Sequence, residues 1–457
     1  MSNLNSKIWI LHEVVNFKKK KSSIWPPLSE ISASWNPVAR STVNSTPARW
    51  FVGGISAPFS PTNGFGYTKT GNSVTLNSYR LRPSTTVARL NYLTEVFNTA
   101  AKLLAGKINT SAFKSSTDGY VSCGNEETSP SIYITMYYDA DSGDGAGYPD
   151  TIPGTNIAWN YTSDTQKINY STATSSNSST ANLSLPFAFA SGMETSSNPT
   201  NNGYVFGGYY QGPAPDGGPY SYAPNYSYIH KLSYSTDSFT TLSTRLPGSG
   251  RDSFGCDGDG STKGYIIGGY TSTTSDTSAI TKFTFSTDTP TNSSSLHKNI
   301  VDIGLVTAPA PYGMAVYAGG HDTNSFIVGG YPIFPAAYSN YAKIVFSTDT
   351  SSVITTATLI AIPPANNPLN INGPGGGQGS RGYVQGVGGG SNYGYFSYGH
   401  SNFAFQPAPE AVSVGSYVWY ETERFTWSSE TNEYSSSATW KYASSILGGQ
   451  GASSFSE

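Results

Sequence analysis

Tyr228-Ile-His-Lys-Leu-Ser-Tyr234-Ser-Thr-Asp237, followed by Gly264-Tyr-Ile-Ile-Gly-Gly269, is the stretch that decides the fold. The first segment is a run of strand formers ending in an aromatic and then Ser-Thr-Asp. Short hydroxyl and carboxylate side chains bond their own backbone two residues on, so they read as a tight turn. The second segment is a buried strand of aromatic and β-branched residues. Its glycine pair suits a place that needs positive φ or close backbone approach.

Both elements recur along the chain. The aromatic-hydroxyl-acid element reads Tyr92-Leu-Thr-Glu95, Tyr161-Thr-Ser-Asp164, Tyr234-Ser-Thr-Asp237, Phe285-Ser-Thr-Asp288, Phe346-Ser-Thr-Asp349 and Trp427-Ser-Ser-Glu430. The glycine element precedes each, as Trp50-Phe-Val-Gly-Gly54, Gly119-Tyr-Val-Ser-Cys-Gly-Asn125, Gly203-Tyr-Val-Phe-Gly-Gly208, Gly264-Tyr-Ile-Ile-Gly-Gly269, Ser325-Phe-Ile-Val-Gly-Gly330 and Gly394-Tyr-Phe-Ser-Tyr-Gly399. Further strand-like runs flank them, such as residues 313–318 and 353–359, so each unit reads as a four-stranded meander. A lone meander cannot bury both faces, and six of them predict a propeller whose blades carry insertions.

The paired elements resemble the kelch repeat, in which a strand ending in Gly-Gly is followed by an aromatic and a polar turn. The Phe-Ser-Thr-Asp-Thr variant resembles the kelch-like repeats of phage structural proteins, notably those of phages of marine cyanobacteria. The resemblance implies an all-β, six-bladed kelch-like β-propeller with four-stranded antiparallel blades. The expected organisation is an N-terminal arm over 1–30, the propeller over 31–445 and a C-terminal tail over 446–457. That tail either pairs beside the first blade, removing an exposed strand edge, or trails off.

Composition fits short strands and tight turns. Of 457 residues, 49 are Gly and 33 Tyr, while only 12% are charged. A net charge of -3 without a broad basic face speaks against a nucleic-acid partner. Two cysteines are too few for a disulfide framework; Cys123 and Cys256 fall in different blades and are expected as separate buried thiols. The N-terminus places an apolar run before its lysines, the reverse of a secretory signal. No segment approaches the roughly 18 apolar residues of a membrane helix.

The segments after the glycine strands lengthen at about 55–85, 126–156 and 209–227, all on one propeller face. They carry Phe65, Tyr67, Tyr79, Tyr133, Tyr137, Tyr138, Tyr148, Tyr210, Tyr220, Tyr222 and Tyr226. Loops on a rigid scaffold are where binding resides, and tyrosine suits interfaces; equally, long loops pack on their own aromatics. The arm combines Ile8, Trp9, Ile10, Leu11, Lys18, Lys19, Lys20, Lys21 and Trp25; it is either a disordered leader, the usual fate of termini, or a segment that docks on a neighbouring subunit, the reading its apolar residues favour.

Catalytic patterns are weak. Asp139, Asp141 and Asp144 suggest calcium but miss the EF-hand spacing, and Asp257-Gly-Asp259-Gly260 reads as a hairpin turn. The five histidines, His12, His230, His297, His321 and His400, are scattered, unlike the ligand set of kelch-type copper oxidases. No central carboxylate pair is selected for glycoside hydrolysis. The expectation is a non-enzymatic virion structural protein without cofactor, a phage tail or fibre component present in multiple copies. Its partners are other virion proteins, bound through the arm, and a host-surface glycan or receptor. The alternative is a stand-alone kelch-like protein- or glycan-binding module.

Overall fold

The computed structural model describes residues 48–56, 67–70, 73–76, 82–127, 137–138, 159–195, 201–209, 211–212, 221–222, 226–248, 250–252, 254–269, 280–292, 317–321, 323–328, 340–358, 385–386, 393–397, 400–405, 412–418, 422–434 and 447–456. Contacts divide the chain into Met1–Ser45 and Thr46–Glu457. The arm residues Ile8 to Trp25 lie outside the described residues.

Among the described residues the fold is all β, with no helix. Five antiparallel sheets have four strands in consecutive order. Sheet two runs Ser111–Lys114, Asp118–Ser122, Thr165–Asn169, Thr174–Asn177. Sheet three runs Ser191–Glu194, Asn202–Phe206, Ile229–Ser233, Ser238–Thr241. Sheet four runs Gly255–Gly258, Lys263–Ile267, Ile280–Thr284, Thr289–Asn292. Sheet five runs Tyr317–His321, Asn324–Val328, Asn340–Val345, Thr350–Thr358. Sheet six runs Gln385–Gly386, Tyr393–Ser397, Thr422–Thr426, Thr431–Tyr434.

Sheet one differs. Its strands Ala48–Ser56, Thr86–Asn91 and Val96–Lys102 follow one another, and the fourth place is taken by Leu447–Ser456 from the far end of the chain. A short fifth strand, Arg82–Pro83, pairs with the end of Ala48–Ser56. The C-terminal segment therefore pairs beside the first unit rather than trailing off.

The second strand of each sheet is largely buried, from its second residue on in Asn202–Phe206 and Lys263–Ile267. Both its faces are covered by neighbouring sheets, so it reads as a continuous apolar run. A left-handed pair ends it: Gly53 and Gly54, Gly207 and Gly208, Gly268 and Gly269. A Cβ at Gly207 would lie 2.3 Å from the Arg251 carbonyl oxygen, which excludes any larger residue.

In sheet two the left-handed pair is Cys123 and Gly124, at φ 55° and 108°, rather than Gly124 and Asn125. The turn after the third strand of sheet two also departs from the expected element. In the other five sheets it is the expected element, and its fourth residue lies at φ 50–52°: Glu95, Asp237, Asp288, Asp349 and Glu430. In sheet two the same turn is Tyr170-Ser-Thr-Ala173, with Ala173 at φ 51°. Tyr161 to Asp164 lies before the third strand, whose register runs Thr165↔Ser122 to Asn169↔Asp118. An alanine in the acid's place hid the true copy.

Each sheet packs on the next through the aromatics of these elements. Trp50 stacks on Tyr170 at 5.8 Å, Tyr120 on Tyr234 at 5.2 Å, and Tyr265 on Phe346 at 5.7 Å. Tyr204 meets Phe283 edge-on at 5.2 Å, and Phe326 stacks on Trp427 at 4.7 Å. Tyr395 of sheet six stacks on Tyr92 of sheet one at 5.3 Å and joins Phe51, Ala88 and Leu90 in one cluster. The edge strands also touch in succession: Leu447–Ser456 meets Ser111–Lys114, then Ser191–Glu194, Gly255–Gly258, Tyr317–His321 and Gln385–Gly386 follow, and the last meets Leu447–Ser456.

Candidate functional site

One polar arrangement is repeated between sheets. The second-strand aromatic always faces a third-strand cation across the ladder: Trp50↔Arg89, Tyr120↔Lys167, Tyr204↔Lys231, Tyr265↔Lys282, Phe326↔Lys343 and Tyr395↔Arg424. The turn acid of the following sheet enters between them. Asp288 receives the Tyr204 hydroxyl at 2.8 Å and Lys231 at 2.8 Å. Asp349 receives Lys263 and Lys282, each at 2.6 Å, and the Tyr265 hydroxyl. Glu95 receives Arg424 at 2.6 Å and Tyr395 at 3.0 Å. Glu430 receives Lys343, and Asp237 lies 3.6 Å from Lys167. Burial works against the ionised form of Asp349, yet its lysine and tyrosine donors outweigh that and hold it down at about 2.

Between sheets one and two the acid is missing, since Ala173 occupies its turn. Another charge cluster joins these sheets. The Lys107 main chain belongs to sheet one: its carbonyl accepts from Gly54 N–H at 2.9 Å and its N–H donates to Ser84 O. Its side chain, completely buried, enters sheet two. There Nζ lies 2.5 Å from Asp164 Oδ1, 3.0 Å from Thr162 Oγ1 and 3.4 Å from Glu126 Oε1, and donates to the Cys123 carbonyl. Burial raises the Glu126 carboxyl above its ordinary range, against the pull of Lys107. Arg251 is the counterpart between sheets three and four, its carbonyl accepting from Gly208 and its guanidinium reaching Gly268 O.

A third polar centre lies at the edge strands. A Cβ on Gly203 would strike Phe113, and one on Gly264 would strike Met193. These two side chains fill the gap left by the next sheet's glycine. In the next seam the corresponding pair is Asp257 and Ser325. Burial, opposed by the nearby Ser325 hydroxyl and Gly258 N–H, pushes the Asp257 carboxyl up to about 7. Glu194 is likewise raised by burial, with Lys114 and Arg49 opposing.

The long-loop aromatics are partly brought together. Tyr67 opens the strand Tyr67–Thr70 and Tyr137 and Tyr138 form another, both pairing with Ser73–Leu76 in one three-stranded sheet. The register is Tyr67↔Leu76, Tyr137↔Thr75 and Tyr138↔Val74, so the first and second long loops share a sheet. Tyr222 pairs with Gln211 in a two-stranded piece. Tyr226 is half-buried against Phe187 and Tyr228. Phe65, Tyr79, Tyr133, Tyr148, Tyr210 and Tyr220, with Asp139, Asp141 and Asp144, lie outside the described residues.

His230 is a core residue, stacked on Phe187 at 5.5 Å and lowered to about 4 by burial and then Arg245. Asp259 accepts the N–H groups of Ser261, Thr262 and Lys263, the hairpin turn expected of it. Cys123 and Cys256 are free and buried, in sheets two and four; burial pushes the Cys123 thiol up to about 12. Among the described residues no three His, Cys, Asp or Glu side chains gather as metal ligands, and no helix is long and apolar enough to cross a membrane. The Lys107 cluster and the repeated cations escaped the sequence reading. The cations had a signal, because each stands three positions before its turn aromatic. No family model matches the chain, and no curated protein matches it.

Proposed function

We propose that the six sheets are the blades of one closed, kelch-like propeller, and that the protein is a non-enzymatic structural part of a virion, in a phage tail or fibre. The observation that carries the closed arrangement is the succession of edge strands that returns to Leu447–Ser456, together with the pairing of that strand in sheet one. Ring closure leaves no sheet edge open, and the acid seams tie blade to blade. Such a body is rigid in itself and presents its loops to partners. The joined Tyr67, Tyr137 and Tyr138 strands form the raised part of the contact face, turned toward a neighbouring virion protein or a host-surface glycan. The arm over 1–30 serves assembly, and the protein resides in the extracellular particle.

The test is immunogold labelling of intact particles from the source lysate, together with glycan-array binding by the purified chain. Particle labelling at a fixed position is expected. Absence from purified particles overturns the reading, as does stoichiometric copper with oxidase turnover in the isolated protein.

A further inference from the structure

Lys107 carries more chemistry than a seam requires. Arg251 does the same backbone work between sheets three and four with a guanidinium, which stays protonated and is no nucleophile. The seam between sheets one and two instead holds a primary amine 2.5 Å from the carboxyl oxygen of Asp164, with Glu126 at 3.4 Å on the same nitrogen. The amine is shielded from water and fixed on all sides by Thr162, the Cys123 carbonyl and both acids.

We propose that Lys107 and Asp164 form an intramolecular isopeptide bond, with Glu126 relaying the proton. The step balances without a co-reactant. A proton passes from the ammonium to the carboxylate side, giving a neutral amine and a carboxylic acid. Nζ then attacks Cγ of Asp164; the N–C bond forms and one C–O bond breaks. The hydroxyl leaves as water, with the second amine proton handed over through Glu126. Burial of Glu126 favours its protonated form, which suits a relay. Fixed contact replaces a bimolecular encounter, the condition under which amide formation proceeds unaided. The bond spans 57 positions and ties the first sheet to the second where Ala173 leaves no turn acid.

The experiment is the intact mass of the full chain under denaturing conditions, followed by peptide mapping. The expected wild-type mass is one water below that of the sequence, with a branched peptide joining Lys107 to Asp164. K107R retains the charge and D164A removes the acceptor; both are expected at full mass. D164N is expected to link with loss of ammonia, converging on the linked wild-type mass. E126Q is expected to link about a hundredfold more slowly. Full mass in wild-type protein after long incubation overturns the bond, and so does a water loss confined to the Asp164 peptide as a cyclic imide. An unchanged linking rate in E126Q overturns the relay.

Discussion

The seam between sheets four and five and the seam between sheets one and two solve one problem in opposite ways. In the first, Asp349 sits on the surface side of the interface and gathers Lys263, Lys282 and the Tyr265 hydroxyl. In the second, Trp50 offers no hydroxyl, Ala173 offers no carboxylate, and charge has moved inward to Lys107. Aromatic packing is the constant part of a seam, since Trp50 stacks on Tyr170 as Tyr265 stacks on Phe346. The ionic part can change place and depth.

Depth sets the size of the effects. K107A removes a completely buried ammonium and leaves Asp164 and Glu126, which are about a third and a quarter exposed, without their cation; water screens the two acids in part, so the expected cost is about 2–3 kcal/mol. Chemical denaturation is expected to show that loss. A loss under about 1 kcal/mol would mean that water reaches the site and that the two seams do not differ in depth.

Asp257 occupies the place that Phe113 and Met193 fill in the earlier seams. Its folded-state carboxyl titrates near 7, above the unfolded value of about 4. The protonated form is therefore favoured by folding, and stability is full below about pH 4 and declines as pH rises toward 7. D257N is expected to remove this slope and to be more stable than wild type at pH 8, by about 2 kcal/mol after allowing for the group's partial exposure. Parallel slopes for the two proteins would place the titration elsewhere.

Asp349 has the opposite sign. Its folded carboxyl is held at about 2, so its contribution is complete above the unfolded value of about 4 and is lost as pH falls toward 2. D349N is expected to cost about 1–2 kcal/mol at pH 7 and nothing at pH 2. Melting curves at both pH values check the convergence.

Much of this was legible in the sequence. The glycine-ended strands and the polar turns ending in an acid mark most of the sheets, because left-handed backbone and tight turns restrict residue choice. The second sheet was misread at both ends, since Cys123 stands at a glycine position and Ala173 at an acid position. Tyr161 to Asp164 imitates the turn but lacks the cation three places upstream, where residue 158 is Ala; Tyr170 has it in Lys167. Lys107 left no local pattern, because its partners Glu126 and Asp164 lie 19 and 57 positions further along the chain and meet it only in the fold.

The smallest expected effect tests the comparison most directly. A173D writes the missing acid into the turn of sheet two, facing Arg89 in the register that Lys231 and Lys282 use toward Asp288 and Asp349. Aspartate also tolerates the left-handed backbone of residue 173 better than alanine does. Both contributions favour the variant, and because the site is near solvent the gain is expected at about 0.5–1 kcal/mol. Urea denaturation in low and high salt separates the parts: the ionic share is screened away and the backbone share persists. A destabilised A173D would show that Trp50 and Arg89 close the space an acid needs, making the two seams alternative structures rather than variants of one.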